Sequence, residues 1–212
     1  MTRGEAITII QNRLGQRTGL STQIAAELQL KQVELEHAEV LPWFLLKTST
    51  GLVTVAGTQT VTPPTDFLRE SGDSNSTGSI WLTTTDGSVE QLIKDYYDVL
   101  KGSTWLAATG QPTHYALMGS LFYLFPKADL AYALTQFYYG ADTVLSTDGT
   151  TNLWLANAPD LLIAETGVVV AKFLRDQAAI QLFADDLNRA RNRMRVENIA
   201  REQAAMSLVM GG

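Results

Sequence analysis

The sequence predicts an α+β protein, with helices at both ends of the chain and short antiparallel strands between them. Three observations point there. Apolar residues recur at helical spacing before Pro42, which stops the pattern. Between residues 110 and 139, short apolar and aromatic runs are separated by Gly119-Ser120 and by Pro126. After Gly167 no Gly or Pro occurs until Gly211, so helix can run almost to the end.

Each element can be justified in order. Thr2-Arg3-Gly4-Glu5 fits a capping box, Ile7, Ile10 and Leu14 follow at helical spacing, and Gly15 is placed to end that helix. Ser21 or Thr22 can cap a second helix. Its Ile24, Leu28 and Leu35 form one stripe, and Leu30, Val33 and His37 form an adjacent one, which predicts burial on more than one side. His37 reads as a helix C-terminal or packing histidine.

From residue 43 to 82 the pattern changes to short strands over 43–48, 52–55, 59–61 and 80–84, with a polar loop over 70–79. Asp73 and Asn75 alternate like the start of a calcium loop, but no carboxylate closes it at the later position. Ser88-Val89-Glu90-Gln91 is a second capping signature, predicting a helix over 88–101 with Asp95 and Asp98 one turn apart on an exposed face. At the centre, runs 113–118 and 121–125 are joined through Gly119, which favours a type II′ hairpin. A third run over 130–139, with Tyr132, Leu134 and Tyr138 on one face, completes an antiparallel meander. Beyond the polar loop 141–151, Pro159-Asp160 opens a helix whose first part is apolar on most sides. A stripe of Ile180, Phe183, Leu187, Ala190 and Met194 follows and fades beyond Arg195.

Composition excludes whole classes of function. The 212 residues contain no Cys and two His, which removes disulfides, thiolate catalysis and Cys- or His-rich metal sites. No apolar run reaches signal-peptide or membrane-span length, so the expectation is a soluble cytosolic product. The net charge of −6 lies between residues 60 and 158, where Arg69, Lys94, Lys101 and Lys127 face ten acids. A sequence-independent nucleic-acid binder would carry the opposite sign. Ser120 and His114 are too far apart along a hairpin to act as nucleophile and base. No enzyme activity, cofactor or metal is expected. The run Arg189, Arg191, Arg193, Arg195 covers two helix faces. It reads either as a solvated helix end or as a segment docking on acidic or polar surfaces of another protein.

One family resemblance emerges from a series of short motifs. These are Pro42-Trp43-Phe44-Leu45, Pro64-Thr65-Asp66-Phe67-Leu68, Gly110-x-Pro112-x-x-Tyr115, Phe125-Pro126-x-Ala128-Asp129, Tyr138-Tyr139, Asn152-x-Trp154-Leu155 and Pro159-Asp160-Leu161-Leu162. Their order over roughly residues 20–190 resembles the head-to-tail adaptor, or head-completion, proteins of tailed bacteriophages. The resemblance implies a mainly α-helical bundle of N- and C-terminal helices (1–41 with 153–212) with a small antiparallel β domain (42–152, with the 88–101 helix) inserted. It also implies a ring of about twelve copies under the portal protein ring.

In that setting the ring contacts tail nozzle or tail-tube proteins, passes double-stranded DNA without specific binding, and touches no membrane. Its place is the virion, after assembly in the host bacterial cytoplasm. The C-terminal segment becomes the portal contact through Arg189, Arg191, Arg193, Arg195, Ile199, Met206, Leu208 and Val209, its end frayed in the free chain. The acids Asp86, Asp95, Asp98, Asp129 and Asp142 become a DNA-repelling channel lining. With low charge and no long exposed apolar stripe, the isolated chain is expected to be monomeric until templated by the portal. The rival readings are a cell-wall hydrolase of the kind phages use to enter cells, with paired carboxylates in a cleft, and a tail-tube or terminator subunit with one long hairpin.

Overall fold

The computed structural model of the protein describes residues 1–71, 78–102 and 107–209, with 202–209 described as helical backbone only. The fold is α+β. The chain divides into two compact units: Met1–Leu45 with Ala141–Gly212, which is helical, and Leu46–Gly140, which is built of strands. The division places residues 42–45 and 141–152 with the helices, not with the strands as expected. Asp73 and Asn75 lie outside the described residues.

The first helix, α1, spans Arg3–Arg13 and opens on the expected capping box, with the Glu5 carboxylate accepting from the Thr2 N–H at 2.7 Å. Gly15, at φ 76°, follows the cap residue Leu14 and lets the chain turn away. The second helix, α2, spans Ser21–Glu36 and starts without a side-chain cap. Neither Ser21 nor Thr22 caps it, because the turn Thr18–Leu20 runs straight into the helix and the Ser21 hydroxyl donates back to the Thr18 carbonyl.

The expected second stripe of α2 also fails. Leu30, Val33 and His37 are exposed, while Gln32 and Glu36 join Ile24 and Leu28 inside. The reason is polar satisfaction. Glu36 Oε1 accepts from Gln32 Nε2 (2.9 Å), from the Asp142 N–H (3.2 Å) and from Trp154 Nε1 (3.1 Å). A carboxylate with three donors can be buried where an unpartnered one cannot.

Strand β1 (Leu46–Val53) begins later than expected, because Trp43–Leu45 forms a 3₁₀ turn. It is followed by β2 (Thr60–Val61), β3 (Phe67–Glu70), β4 (Ile80–Thr83), β5 (Val89–Gln91) and β6 (Ile93–Lys94). The helix expected over 88–101 is therefore absent except for α3, Tyr97–Lys101. The Asp86 carboxylate takes the Ser88 N–H (3.0 Å) and hydroxyl (2.8 Å), while the Thr84 N–H bonds the Ser88 carbonyl. Ser88 is thus spent closing a β4–β5 turn instead of capping a helix.

The remaining strands are β7 (Thr109–Gly110), β8 (His114–Met118), β9 (Leu121–Phe125), β10 (Lys127–Ala128) and β11 (Ala133–Gly140). The β8–β9 hairpin forms as expected, with positive φ at Gly119 alone, as a type II′ turn requires. The meander does not. The outer edge of β9 is occupied by β2, and β10 pairs in parallel with β7. That leads the chain away, and β11 becomes the central strand of the other sheet, between β1 and the β4/β3 side. The face read for the third run is right: Tyr132, Leu134 and Tyr138 are buried, together with Gln136. Tyr132 and Leu134 meet Val61, Leu82, Tyr115, Phe122 and Leu124 in the core of the strand unit.

After the return at Ala141, Asn152 caps the short α4, Leu153–Asn157, and Pro159 starts α5, Pro159–Phe173. The helical run then breaks where no Gly or Pro stands. Arg175 adopts φ 56°, and the Asp176 carboxylate caps the N-terminal turn of α6, Gln177–Val209. The two helices run antiparallel and very close. A Cβ at Gly167 would lie 2.3 Å from the buried Phe183 ring. Ile180, Leu187 and Met194 line the same side of α6, as the stripe predicts.

Glu36→Ala should lower stability by roughly 2–5 kcal/mol, since it strands the Trp154 indole and the Asp142 N–H. Glu36→Gln, which keeps an acceptor oxygen, should cost less. Urea midpoints at unchanged m-value check the order.

Candidate partner-binding surface

Along the distal half of α6, Ala190 is the last buried apolar residue among the described residues, but the packed side does not end there. Asn198 Oδ1 accepts from the Trp43 N–H at 3.2 Å, and its Nδ2 donates to the Leu41 carbonyl at 3.4 Å. Arg201 lies over the Trp43 ring, 3.4 Å from its centroid, a cation–π contact. Trp43 in turn packs edge-on against Phe44, and Phe44 against the buried Trp154. Residues 190, 194, 198 and 201 continue one helix face in polar form. Sequence reasoning missed this clamp because a hydropathy stripe does not register an Asn and an Arg.

Three of the arginines on the other faces are engaged within the chain. Arg189 reaches Asp186 at 2.5 Å, Arg191 reaches Glu165 at 2.5 Å, and Arg193 reaches Asp160 at 2.6 Å. All three are well exposed, so each pair contributes on the order of 0–1 kcal/mol. Arg195 has no ionic or hydrogen-bonding partner among the described residues, and Ile199 beside it is exposed. The side chains of Met206, Leu208 and Val209 lie outside the described residues, although the helix backbone reaches Val209. The chain also has exposed apolar helix positions that the sequence reading did not expect, on α2 as well as α6.

The five acids named from sequence are not one group. Asp142 Oδ2 accepts from the Leu153 N–H at 2.5 Å and its Oδ1 from Thr143, so it caps α4 and faces its own backbone. Asp86 is exposed but tied into its turn by the Thr84 hydroxyl and by the N–H and hydroxyl of Ser88, which hold its pKa at about 2. Asp129 accepts from the Tyr132 hydroxyl. Asp98 sits in the first turn of α3, and Asp95 precedes that helix, accepting from the Tyr96 N–H. Asp95 and Asp98 therefore do not share the expected helix.

The candidate nucleophile and base are far apart. His114 opens β8 and Ser120 sits in the turn beyond its far end, about 15–20 Å away along the strand. His114 is held below its usual pKa by burial, which outweighs the Asp95 charge. The carboxyls with displaced pKa values, Asp66 and Asp86, are displaced downward, opposite to a general acid. Among the described residues no group of three His, Asp or Glu could hold a metal ion. No described helix is long and apolar enough to cross a membrane. The β8–β9 hairpin has five-residue strands, not the long hairpin of a tube subunit.

The family model described as SU10 adaptor protein matches residues 1–210. The chain belongs to that family. No curated protein matches it. As an SU10 adaptor protein it has a structural adaptor role, and a protein of that kind acts through its surfaces.

In this adaptor the strand unit is fastened by two buried phenols. Tyr138 donates to Asp66 at 2.9 Å, and burial with that carboxylate pushes its pKa up to about 12. Tyr115, buried beside Glu70, is raised as well. A folded pKa above the unfolded value leaves stability intact below about pH 10 and removes it as pH rises toward 12. Tyr138→Phe should therefore flatten the loss of stability between about pH 10 and 12, measured as denaturation midpoint against pH.

Proposed function

We propose that this protein forms the adaptor ring between portal and tail, joining head to tail and continuing the DNA channel. Its place is the virion, in about twelve copies, with tail nozzle or tail-tube proteins on the far side. The chain then does no chemistry and needs no cofactor.

The observation that carries this reading is the reach of α6. Arg193 pairs with Asp160 in the first turn of α5, so α6 has passed the end of its packing partner there. It continues for sixteen more residues to Val209, roughly 24 Å at the helical rise. The Trp43 clamp steadies it as far as Arg201. A helix that outruns its own core is suited to a groove on another protein.

The portal contact then divides. Arg195, Ile199 and the end carrying Met206, Leu208 and Val209 supply the primary surface. Arg189, Arg191 and Arg193 can exchange weak internal pairs for portal carboxylates. The exposed or partly exposed acids Asp86, Asp95, Asp98 and Asp129 face the DNA path and keep phosphates from sticking. Asp142, committed to its cap, takes no part.

Truncation after Arg201 tests the reading. It preserves the Asn198 and Arg201 contacts, unlike a cut after Arg195, so the melting temperature should be unchanged. Binding to purified portal, followed by light scattering, should be lost. Normal portal affinity in the truncated protein would refute the assignment.

A further inference from the structure

A second surface follows from the spacing of the exposed residues on α2. Ala26, Leu30, Val33 and His37 succeed one another at intervals of four, three and four, the spacing of a two-helix seam. This seam points away from the buried side formed by Ile24, Leu28, Gln32 and Glu36. Leu30 is 56% and Val33 46% exposed, and Val40, just past the helix, is 69% exposed. Among the described residues nothing in the helical unit covers them.

The matching surface is the outer face of α6. Leu182, Arg189 and Val196 lie seven residues apart, about 100° round the helix from the buried Phe183 and Ala190. Leu182 is 45% and Val196 60% exposed. The two faces also differ in charge. Residues 21–40 carry Glu27, Glu34 and Glu39 outside the core against Lys31, while residues 182–201 carry five arginines against Asp185, Asp186 and Glu197. Glu27 and Glu34 flank the α2 seam, and Arg189 sits within the α6 stripe.

Within the helical unit α5 packs against both α2 and α6, so the two faces belong to different helices that flank it. They cannot satisfy one another inside a single chain. Two different, complementary faces on one chain define a head-to-tail contact, which closes into a ring when repeated.

We propose that the α2 seam of one copy receives the Leu182–Arg189–Val196 face of α6 from the next copy. The proposal rests on the ring reading above and names the surfaces that join neighbours. The seam is short, so the contact is weak between free chains and is reinforced when a template holds the copies side by side. The free chain should then be monomeric despite its exposed seam.

Introduced thiols give the test a clean background, since the chain has no cysteine. The double variant Val33→Cys/Val196→Cys is bound to portal and oxidised with a mild thiol oxidant. A ladder of trimers and larger species on a denaturing gel is expected, because each copy then carries both halves of the contact. Equal mixtures of the two single variants should stop at dimers, and each single variant alone should give none. Portal-bound protein without a ladder, or dimers from Val33→Cys alone, would overturn the proposal.

Failure of the unsubstituted protein to bind portal would instead strike the ring reading. Leu30→Glu supplies a second measurement that does not depend on disulfide geometry. It should leave the melting temperature unchanged, since the residue is exposed, and cut the number of copies loaded per portal at least severalfold. Normal loading of Leu30→Glu would also overturn the proposal.

Discussion

The helical unit depends on one buried carboxylate. Glu36 stands at the last turn of α2, nine residues before the chain leaves for the strand unit. Its acceptor oxygen binds the first residues after the chain returns, and the Trp154 indole beyond them. An inserted unit of 95 residues separates those segments in sequence. Closing so long a loop is entropically costly, and local propensity cannot offset it. A carboxylate with three donors gives the two ends a specific meeting point. The Phe44–Trp154 contact then seals it with apolar area.

The strand unit solves a comparable problem with phenols. Tyr115 donates to Glu70 at 2.5 Å and accepts from the Ser79 N–H at 2.8 Å, so one buried hydroxyl ties β8 to both ends of the 71–78 segment. The Lys94 ammonium, 2.5 Å from Glu70, compensates the buried charge. Gly78 is required beside it, because a Cβ there would lie 2.0 Å from the Leu92 carbonyl oxygen. Each unit therefore combines apolar packing with buried polar knots, and the knots fix which segments meet.

What the sequence revealed follows from the range of each signal. The capping box at Thr2, the type II′ turn at Gly119 and the buried face of β11 are local patterns, and each was legible. The β2–β9 pairing was not, since nothing within β9 specifies a neighbour some sixty residues away. Ser88 misled because its hydroxyl serves a cap or a β-turn equally well, and Asp86 two residues earlier decided between them. The α2 stripes misled for a related reason. Apolarity alone favoured Leu30 and Val33 as interior, whereas Gln32 and Glu36 went inside because their partners arrive from beyond residue 140. For the partner surface, the arginine run was visible, but the Asn198–Arg201 clamp on Trp43 was not.

That clamp bears on how an adaptor can be firm and adaptable at once. Along α6 the contacts grade from permanent to exchangeable. Near Gly167 and Phe183 the helices interlock too closely for a methyl group, and such packing has one solution. Further along, the exposed guanidinium groups of Arg189, Arg191 and Arg193 pair with carboxylates, and the net contribution of each pair is small. Last come a hydrogen-bonded Asn and a stacked Arg on a half-buried Trp43. A partner that offers carboxylates to these arginines replaces weak internal pairs with equivalent external ones, and the exchange costs little. It need not disturb the interlocked half, because only exposed arginine side chains change partners. The gradient lets the distal helix be redirected while its root stays fixed, which suits a structural adaptor.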